Sequence, residues 1–440
     1  IFTLKYRADR YILSRSELVL LKVIFSRLCS RNCTCSNVMT LAKSFSTQWL
    51  ASAYGATVSI LLTFLFARLL GPKIFGSYNY LLTLASLYAI LQDGGFRTLI
   101  FRELTSSTFQ EIKGSLISLS IGHNILVTIT GVLTLVILPL KDSSLLILAI
   151  FSFGLVTTTT FFSSQLKGEG MFAAEARWRV LTRTLGALSV LAFIFIFTPS
   201  IQTILGGTIV GYGVALFLRP ASCKLKILFK KLNPNVYKTL GSLLIIDIAT
   251  LIYFKIDIVM LRHLGSGLEE VGFYSAGSRL LEGLIFMHLP FATVLFREMR
   301  IRATSPTNFI AYILKLFFFS AVSPIVIIPA GWFFSKEILS LCYGASFIDA
   351  SPFFNVLLIS FLFMIPNLVL TQATLAINRE YFYAKITCIA ALANIGLNFY
   401  LIPTLGAKGA AIGTIITEGL LMILIGAGIY LWRRKLVLKQ

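Results

Sequence analysis

Acidic residues are scarce in this sequence, and charged residues of either sign are few. Only 18 of the 440 residues are Asp or Glu, 13% of all residues are charged, and 57% are hydrophobic. The mean hydropathy is +0.85. A chain with so little polar surface cannot enclose itself in water, so its solvent must be largely lipid. The composition predicts a membrane protein with no separate soluble domain.

The sequence also has few of the side chains that bind metal ions. It contains three histidines and six cysteines, the latter being Cys29, Cys33, Cys35, Cys223, Cys342 and Cys388. The N-terminal cysteine cluster lacks a second pair or nearby histidines at ligand spacing, and the other three lie on or beside apolar runs. We therefore expect no metal site, no disulfide framework and no cofactor.

The formal charge of +21 comes from 39 lysines and arginines. These residues lie mainly in loops between apolar runs, and they are not interleaved with aromatic residues on a soluble module. That distribution is typical of topogenic charge that faces the cytoplasm, and it argues against nucleic acid as a partner.

The apolar runs predict an all-α polytopic membrane protein, because a helix needs about 20 mainly apolar residues to cross roughly 30 Å of hydrocarbon. The twelve predicted spans are 47–69, 78–97, 115–138, 144–163, 180–198, 201–218, 241–261, 272–296, 310–334, 353–375, 386–403 and 409–432. With a cytoplasmic N-terminus, the external loops hold only Arg68, Lys73, Lys141, Arg262, Lys336 and Lys408. Adding or removing one span would abolish this asymmetry, so the positive-inside rule predicts that both termini are cytoplasmic.

Basic segments divide the chain into regions. Residues 220–240 are predicted to be a cytoplasmic linker between six-helix bundles at 47–219 and 241–432, and residues 433–440 a basic cytoplasmic tail. Residues 1–46 form a basic N-terminal segment. Two interpretations of its first 38 residues are open: a leader ahead of a start at Met39, which we favour, or a basic helix on the membrane surface.

A short motif occurs twice and relates the two bundles. The first copy comprises Arg68, Leu70, Gly71, Gly76 and Tyr78, and the second comprises Arg262, Leu264, Gly265, Gly272 and Tyr274. The copies are about 194 residues apart, and each opens a set of six spans. Because six is even, both sets enter the membrane in the same direction, which predicts a pseudo-two-fold axis along the membrane normal and a substrate path between the bundles. A chance match is the alternative for so short a pattern.

Ionised residues occur inside the predicted seventh and eighth spans. They are Asp247, Lys255, Asp257, Arg279 and Glu282. A charge near the middle of a span costs on the order of 2.5–3.5 kcal/mol, so those retained must face water, a partner or a substrate. Because the two spans form a hairpin, we expect Lys255 and Arg279 at the same depth. Lys255 and Asp257 are about 160° apart around their helix, so we expect them to face different neighbours.

Two interpretations of these five residues are open. In the first, a hydrated cavity binds a phosphate or pyrophosphate, with Arg279 in bidentate contact and Lys255 as a point charge. In the second, an ion-paired network only fixes the packing of the helices. Arg279 favours the first interpretation, because it is deep in the span and cannot readily lose its proton.

Four further residues are candidates for gating or coupling. Asp93 and Arg97 close the second span on the cytoplasmic side, where they could form an inner gate or simply lie at the interface. His288 in the eighth span and Glu418 in the last could carry a coupling proton, although a single polar residue more often only bridges helices. Proline residues are expected to kink the ninth and tenth spans; they are Pro324, Pro329 and Pro366.

Several segments, in this order and spacing, resemble the polysaccharide-transporter branch of the multidrug/oligosaccharidyl-lipid/polysaccharide flippase superfamily, especially O-antigen (Wzx-type) flippases of lipopolysaccharide synthesis. They are Leu70 to Tyr78, Asp93 to Leu104, Lys255 to Leu261, Val271 to Ser275 and Ile402 to Ala411. The resemblance covers residues 40–432. It implies two six-helix bundles around a central cavity, and alternating access that moves an undecaprenyl-pyrophosphate-linked oligosaccharide to the external leaflet. The expected partners are this substrate, membrane lipid and a coupling H⁺ or Na⁺.

Two other functions are alternatives to the flippase. A multidrug or cation antiporter of the same superfamily shares the helix count and the repeat, but it would favour an anionic or aromatic cavity. A membrane glycosyltransferase, polymerase or acyltransferase would usually need a large external loop with paired acids or a histidine base. The sequence has only short external loops and no Asp-x-Asp motif, so we expect that the protein is not an enzyme.

Overall fold

The computed structural model describes residues 35–105, 114–138, 142–230, 232–265, 267–303 and 306–437. Within these ranges all regular structure is helical. The helices are α1 (Cys35–Asp93), α2 (Phe96–Thr105), α3 (Leu116–Ile137), α4 (Ser143–Gly168), α5 (Phe172–Ile196), α6 (Ile201–Phe217), α7 (Pro234–Leu264), α8 (Leu268–Arg302), α9 (Pro306–Ser320), α10 (Val322–Phe333), α11 (Ser335–Tyr343), a 3₁₀ turn (Ala345–Ala350), α12 (Ser351–Ala376), α13 (Glu380–Leu405) and α14 (Ala407–Val437).

These helices confirm the predicted fold class, an all-α membrane protein of about twelve spans. Among the described residues, eight helical segments are long and apolar enough to cross a bilayer by length and composition alone. One of them, Ser46–Thr105, holds two spans, and α6, α7 and α8 complete the twelve. All backbone polar groups of a span must be satisfied within it, which is why apolar runs of this length fold as helices in lipid.

The first two predicted spans form one broken helix instead of two helices with an eight-residue turn. Within α1 only Gly71 leaves the helical region, with φ 68° and ψ 170°, and Pro72 begins the next segment. Glycine tolerates this positive φ, and proline is favoured at the start of a helix, where its missing N–H is not needed. The helix also begins earlier than predicted, at Cys35. The predictions for residues 1–34 lie outside the described residues.

Two further differences from the prediction concern spans nine and ten. The ninth span breaks at Ala321, between the end of α9 at Ser320 and the start of α10 at Val322, two residues before Pro324. The helices α10 and α12 continue through Pro329 and Pro366, and the kinks expected at these two residues stay predictions. Between these spans, residues predicted as loop form α11 and the 3₁₀ turn, because Tyr343 and Phe347 are fully buried against the bundle. The proposed domain boundaries stay a prediction.

The two copies of the repeat contact each other directly. A Cβ atom placed on Gly76 would lie 1.8 Å from the carbonyl oxygen of Leu268, and one placed on Gly272 would lie 2.0 Å from that of Pro72. Gly76 therefore contacts Leu268, which lies four residues before its counterpart Gly272. In the same way, Gly272 contacts Pro72, which lies four residues before Gly76. Such reciprocal contacts are what a two-fold axis between the copies produces. The short motif is therefore a structural repeat, and its glycines allow α1 and α8 to cross at backbone contact.

Candidate functional site

Three of the predicted site residues form one ionic cluster on the α7–α8 hairpin. The Nζ of Lys255 donates a hydrogen bond to Oε1 of Glu282, and Nη1 of Arg279 donates to Oε2 of the same carboxylate at 2.9 Å. The structure thus brings Lys255 and Arg279 together on one carboxylate, and the equal depth expected for them stays a prediction. Because both cations share one carboxylate, the cluster has a formal charge of +1. Its side chains keep partial exposure, 19% for Lys255, 36% for Arg279 and 42% for Glu282.

The cluster borders two voids between α1 and α8. The larger, about 1010 Å³, is bounded by α1, α8, α10, α11 and α12, and Arg279 is the one charged residue among those that line it. The smaller, about 190 Å³, is lined by both Arg279 and Glu282 and by Ser59 and Thr63 of α1. Arg279 is thus a cation at the wall of a largely apolar cavity.

Aromatic side chains make up much of the wall of the larger cavity. They are Trp49, Phe64, Phe286, Phe334 and Phe354. Polar groups on the wall include Gln48, Ser52 and Thr57 of α1. The arrangement can therefore accommodate a molecule that combines a large apolar portion with a polar or anionic group.

Asp257 is separate from the ionic cluster, and the prediction about its direction is wrong. Its carboxylate accepts hydrogen bonds from the hydroxyl of Tyr274 and from the backbone N–H of Ile258. Tyr274 and Glu282 are both on α8, so Asp257 and Lys255 reach the same neighbouring helix. The prediction failed because it used only the angle between Lys255 and Asp257 around the axis of α7. The long side chains of Lys255 on α7 and Tyr274 on α8 bridge the two helices in spite of that angle.

Asp247 lies with the two predicted gating residues. Its Oδ2 is 3.6 Å from Nη2 of Arg97. Asp93 adjoins them and is 8% exposed, and the backbone N–H groups of Gly95 and Arg97 donate to its carboxylate. All three line a void of about 340 Å³ that also contains Thr157 and Thr160. Asp247 is eight residues from Lys255, or about 12 Å along α7, so it does not join the cationic cluster.

The remaining two candidates bridge helices within the last six spans. His288 is hydrogen-bonded through Nδ1 to the carbonyl of Leu284 at 2.8 Å and through Nε2 to the hydroxyl of Ser323 at 3.2 Å. Glu418 is buried and accepts hydrogen bonds from the hydroxyl of Tyr253 at 2.6 Å and from Nδ2 of Asn367 at 2.7 Å. His288 therefore helps to hold the broken span α9–α10 against α8.

A polar network surrounds Glu418. Asn398 donates to Oδ1 of Asn394 at 2.9 Å, and Asn394 faces the hydroxyl of Thr417 at 3.4 Å. The side-chain carbonyl oxygens of Asn367 and Asn398 are buried and have no hydrogen-bond partner among the described residues. The unpaired oxygen of Asn367 belongs to the side chain that donates to Glu418, and a buried carbonyl oxygen beside a carboxylate is suited to bind a proton donor or a small cation.

Sequence reasoning missed a second charged cluster, at the far end of the larger cavity. Glu175 is fully buried and accepts hydrogen bonds from Arg179, Ser163 and Gln48, and Lys167 is 3.4 Å away. Arg179 also donates to Ser52 and Gln48, two residues that line the cavity. The Glu-x-x-x-Arg spacing was visible in the sequence. It was assigned to a loop because the span was predicted to begin at residue 180, whereas α5 begins at Phe172.

Comparison with known proteins gives one family and several relatives. The family model described as "Polysaccharide biosynthesis protein" matches residues 41–299, more than half of the chain. An uncharacterized membrane protein of Methanocaldococcus jannaschii is 24% identical, in an alignment that covers 85% of this chain and 80% of that protein.

Solved structures of similar fold are transporters. The lipid II flippase MurJ in an inward closed conformation has a TM-score of 0.68 and 15% identity, with 87% of each chain covered. An inward-facing multidrug resistance MATE family transporter of the MOP superfamily has a TM-score of 0.63 and 16% identity, with 88% of this chain and 94% of that chain covered. At these identities the likeness concerns the fold.

Proposed function

Because this chain belongs to the polysaccharide biosynthesis protein family, we propose that it is a flippase for a saccharide carried on a polyprenyl pyrophosphate. The substrate would be an O-antigen or other surface-polysaccharide repeat unit, moved from the cytoplasmic to the external leaflet by alternating access. In this proposal the protein lies in the cell membrane with both termini in the cytoplasm, as the distribution of basic residues predicts.

The observation that carries the proposal is the position of Arg279. It lies at the wall of an apolar cavity of about 1010 Å³ between helices from the first and the last six spans. A sugar headgroup cannot cross hydrocarbon unaided, so the protein must offer a polar path while the lipid chain stays in apolar surroundings. A cation beside an extended apolar wall matches the pyrophosphate and lipid portions of one substrate.

Glu282 has a defined part in this mechanism. In the described structure its two oxygens are bonded by Lys255 and Arg279, so the cations are already neutralised in part. A substrate phosphate would compete with Glu282 for the same donors. Lys255 and Arg279 would then exchange the Glu282 carboxylate for the phosphate, and take the carboxylate back when the product leaves. The protein can therefore bind the headgroup without holding it permanently.

The Glu418 network is our candidate for ion coupling. Its carboxylate is buried and bonded by Asn367, whose side-chain oxygen has no hydrogen-bond partner among the described residues. Binding of H⁺ or Na⁺ would neutralise this charge and change the packing of α7, α12 and α14, which carry Tyr253, Asn367 and Glu418. A Glu418→Gln variant should then transport without dependence on the coupling ion, or fail to transport, while still binding substrate.

The experiment on the main proposal uses cells that lack the protein. We expect Arg279→Ala to abolish surface glycan and to cause lipid-linked precursor to accumulate inside, whereas Arg279→Lys keeps part of the activity. Arg262→Ala is the matched control, because Arg262 lies at the end of α7 and has no ion pair among the described residues. Normal glycan export by a stably expressed Arg279→Ala variant would remove this residue from the mechanism.

A second candidate function, export of organic cations, is favoured by the aromatic wall of the cavity. Five aromatic side chains line it, and aromatic faces attract cations. Reconstituted vesicles distinguish the two candidates. The flippase predicts transfer of a lipid-linked saccharide and no uptake of fluorescent cations, and the opposite result would replace the proposal with an antiporter.

A further inference from the structure

The segment that joins the first six spans to the last six is held in place against the bundle. We call residues 218–230 and 232–233, the described residues between α6 and α7, the strap. Its residues Cys223 and Leu232 are buried, and the backbone N–H of Leu228 donates a hydrogen bond to the carbonyl of Ser118 on α3 at 3.1 Å. A Cβ atom at Gly122 would lie 2.5 Å from the carbonyl oxygen of Leu228. The glycine on α3 therefore allows close contact, and the strap has a defined position.

The strap exposes apolar side chains. Leu225, Ile227 and Phe229 are 45%, 55% and 65% exposed. They alternate with Lys224, Lys226 and Lys230, which are also exposed. Apolar and cationic side chains therefore alternate along the exposed strap. Phe217, the last residue of α6, is 85% exposed and adds to the exposed apolar surface.

The charged residues of the strap and of the start of α7 have one sign. Residues 219–238 contain six lysines and arginines and no Asp or Glu. A pocket of about 360 Å³ at the start of the strap is lined by Arg219, Lys224 and Lys226, together with Phe217 and Leu225, and no carboxylate lines it. The guanidinium of Arg219 is oriented by two backbone carbonyls, those of Leu216 at 3.0 Å and Cys223 at 3.1 Å.

We propose that this pocket binds the phosphate of an anionic phospholipid, with the apolar side chains of the strap inserted at the boundary of the acyl chains. Three cations around one pocket supply the charge that a headgroup phosphate needs, and Phe217 and Leu225 are placed to contact its acyl chains. Lysines that only set the orientation of the chain in the membrane would require neither an arginine oriented by backbone carbonyls nor exposed apolar residues beside them. The site is separate from the Arg279 cavity, so the lipid is a structural partner of the strap and not the transported substrate.

The experiment measures lipid retained by the purified full-length protein in detergent, by native mass spectrometry. Phosphatidylglycerol is compared with phosphatidylcholine for the wild-type protein and for Lys224→Gln/Lys226→Gln. Each removed lysine should weaken retention of the anionic lipid by about five-fold, while retention of the zwitterionic lipid stays unchanged. Lys315→Gln/Lys385→Gln, which removes two exposed lysines of α9 and α13, is the matched control.

Three results would overturn the proposal. They are equal retention of the two lipids by the wild-type protein, equal loss in both double variants, and displacement of the lipid by inorganic phosphate, which would mean that the site selects a soluble anion. The charge-conserving variant Lys224→Arg/Lys226→Arg should keep the selectivity, which separates loss of the site from misfolding. Because the readout is binding, the outcome is independent of whether the protein is a flippase.

Discussion

Substitution of Gly272 by alanine should force apart the two helices that cross at the repeat. The new Cβ would lie 2.0 Å from the carbonyl oxygen of Pro72, whereas ordinary contact begins at 3.4 Å. The helices α1 and α8 must therefore separate by about 1.4 Å, since the obstructing atom is backbone and cannot rotate away. Overpacking of this kind costs about 1–3 kcal/mol. Gly76→Ala should cost at least as much, because its Cβ would lie 1.8 Å from Leu268 O.

The assay is the apparent melting temperature of the purified variants in detergent, with Gly396→Ala as the control. Nothing lies within 4 Å of a Cβ at Gly396, so alanine there only improves helix propensity, by about 1 kcal/mol. One displacement of α8 relieves both clashes, so the Gly76→Ala/Gly272→Ala double variant should be less destabilised than the sum of its parts. If Gly272→Ala melts at or above Gly396→Ala, the backbone contact does not exist as described.

Three further changes have expected outcomes. Arg97→Asp or Asp247→Arg alone should reduce glycan export. The double variant Arg97→Asp/Asp247→Arg should restore part of it, because the attraction between α2 and α7 is rebuilt, and a double variant no better than either single one would contradict the ion pair. Glu175→Gln should lower stability by about 3 kcal/mol, measured by unfolding in detergent, since it leaves Arg179 and Lys167 without their buried counter-ion; an unchanged midpoint would exclude that role. Burial raises the pKa of Cys223 to about 11. In a variant that keeps only this cysteine, the thiol should therefore resist maleimide at neutral pH until the protein is denatured. Rapid labelling of the native protein would show that the strap does not cover Cys223.

The sequence was sufficient for the architecture because membrane spans leave a simple signal. Apolar runs of about 20 residues and the placement of lysine and arginine predicted twelve spans, and all of them are helical in the structure, although the first two share α1 and the ninth is divided between α9 and α10. The errors occur where a single residue decides the backbone. Hydropathy cannot distinguish an eight-residue turn from the one-residue break at Gly71. The helix α11 was missed because its stability comes from the burial of Tyr343 against α8, where the Tyr343 hydroxyl donates a hydrogen bond to the carbonyl of Ala276.

The site could be predicted only where residues are close in sequence or joined by a short hairpin. Lys255, Arg279 and Glu282 satisfied that condition, and they meet. The Arg97–Asp247 pair and the Glu175 cluster join helices far apart in the chain, and their formation depends on how the bundles pack. Periodicity carries no information about such contacts. The direction of Asp257 failed for a related reason, since helix angles ignore the reach of long side chains.

The repeat provides an independent test of whether the cationic cluster serves packing or binding. With Gly272 equivalent to Gly76, the positions that correspond to Arg279 and Glu282 in the first copy are Thr83 and Ser86. These two residues hydrogen-bond only to carbonyls of their own helix, at 2.8 Å and 2.7 Å. The first copy therefore builds its helix pair without any ionic cluster, so the shared architecture does not require one. An ionised group that the repeat does not need, kept in a span at a cost of a few kcal/mol and facing a cavity, is consistent with the proposed role of Arg279 in binding a substrate.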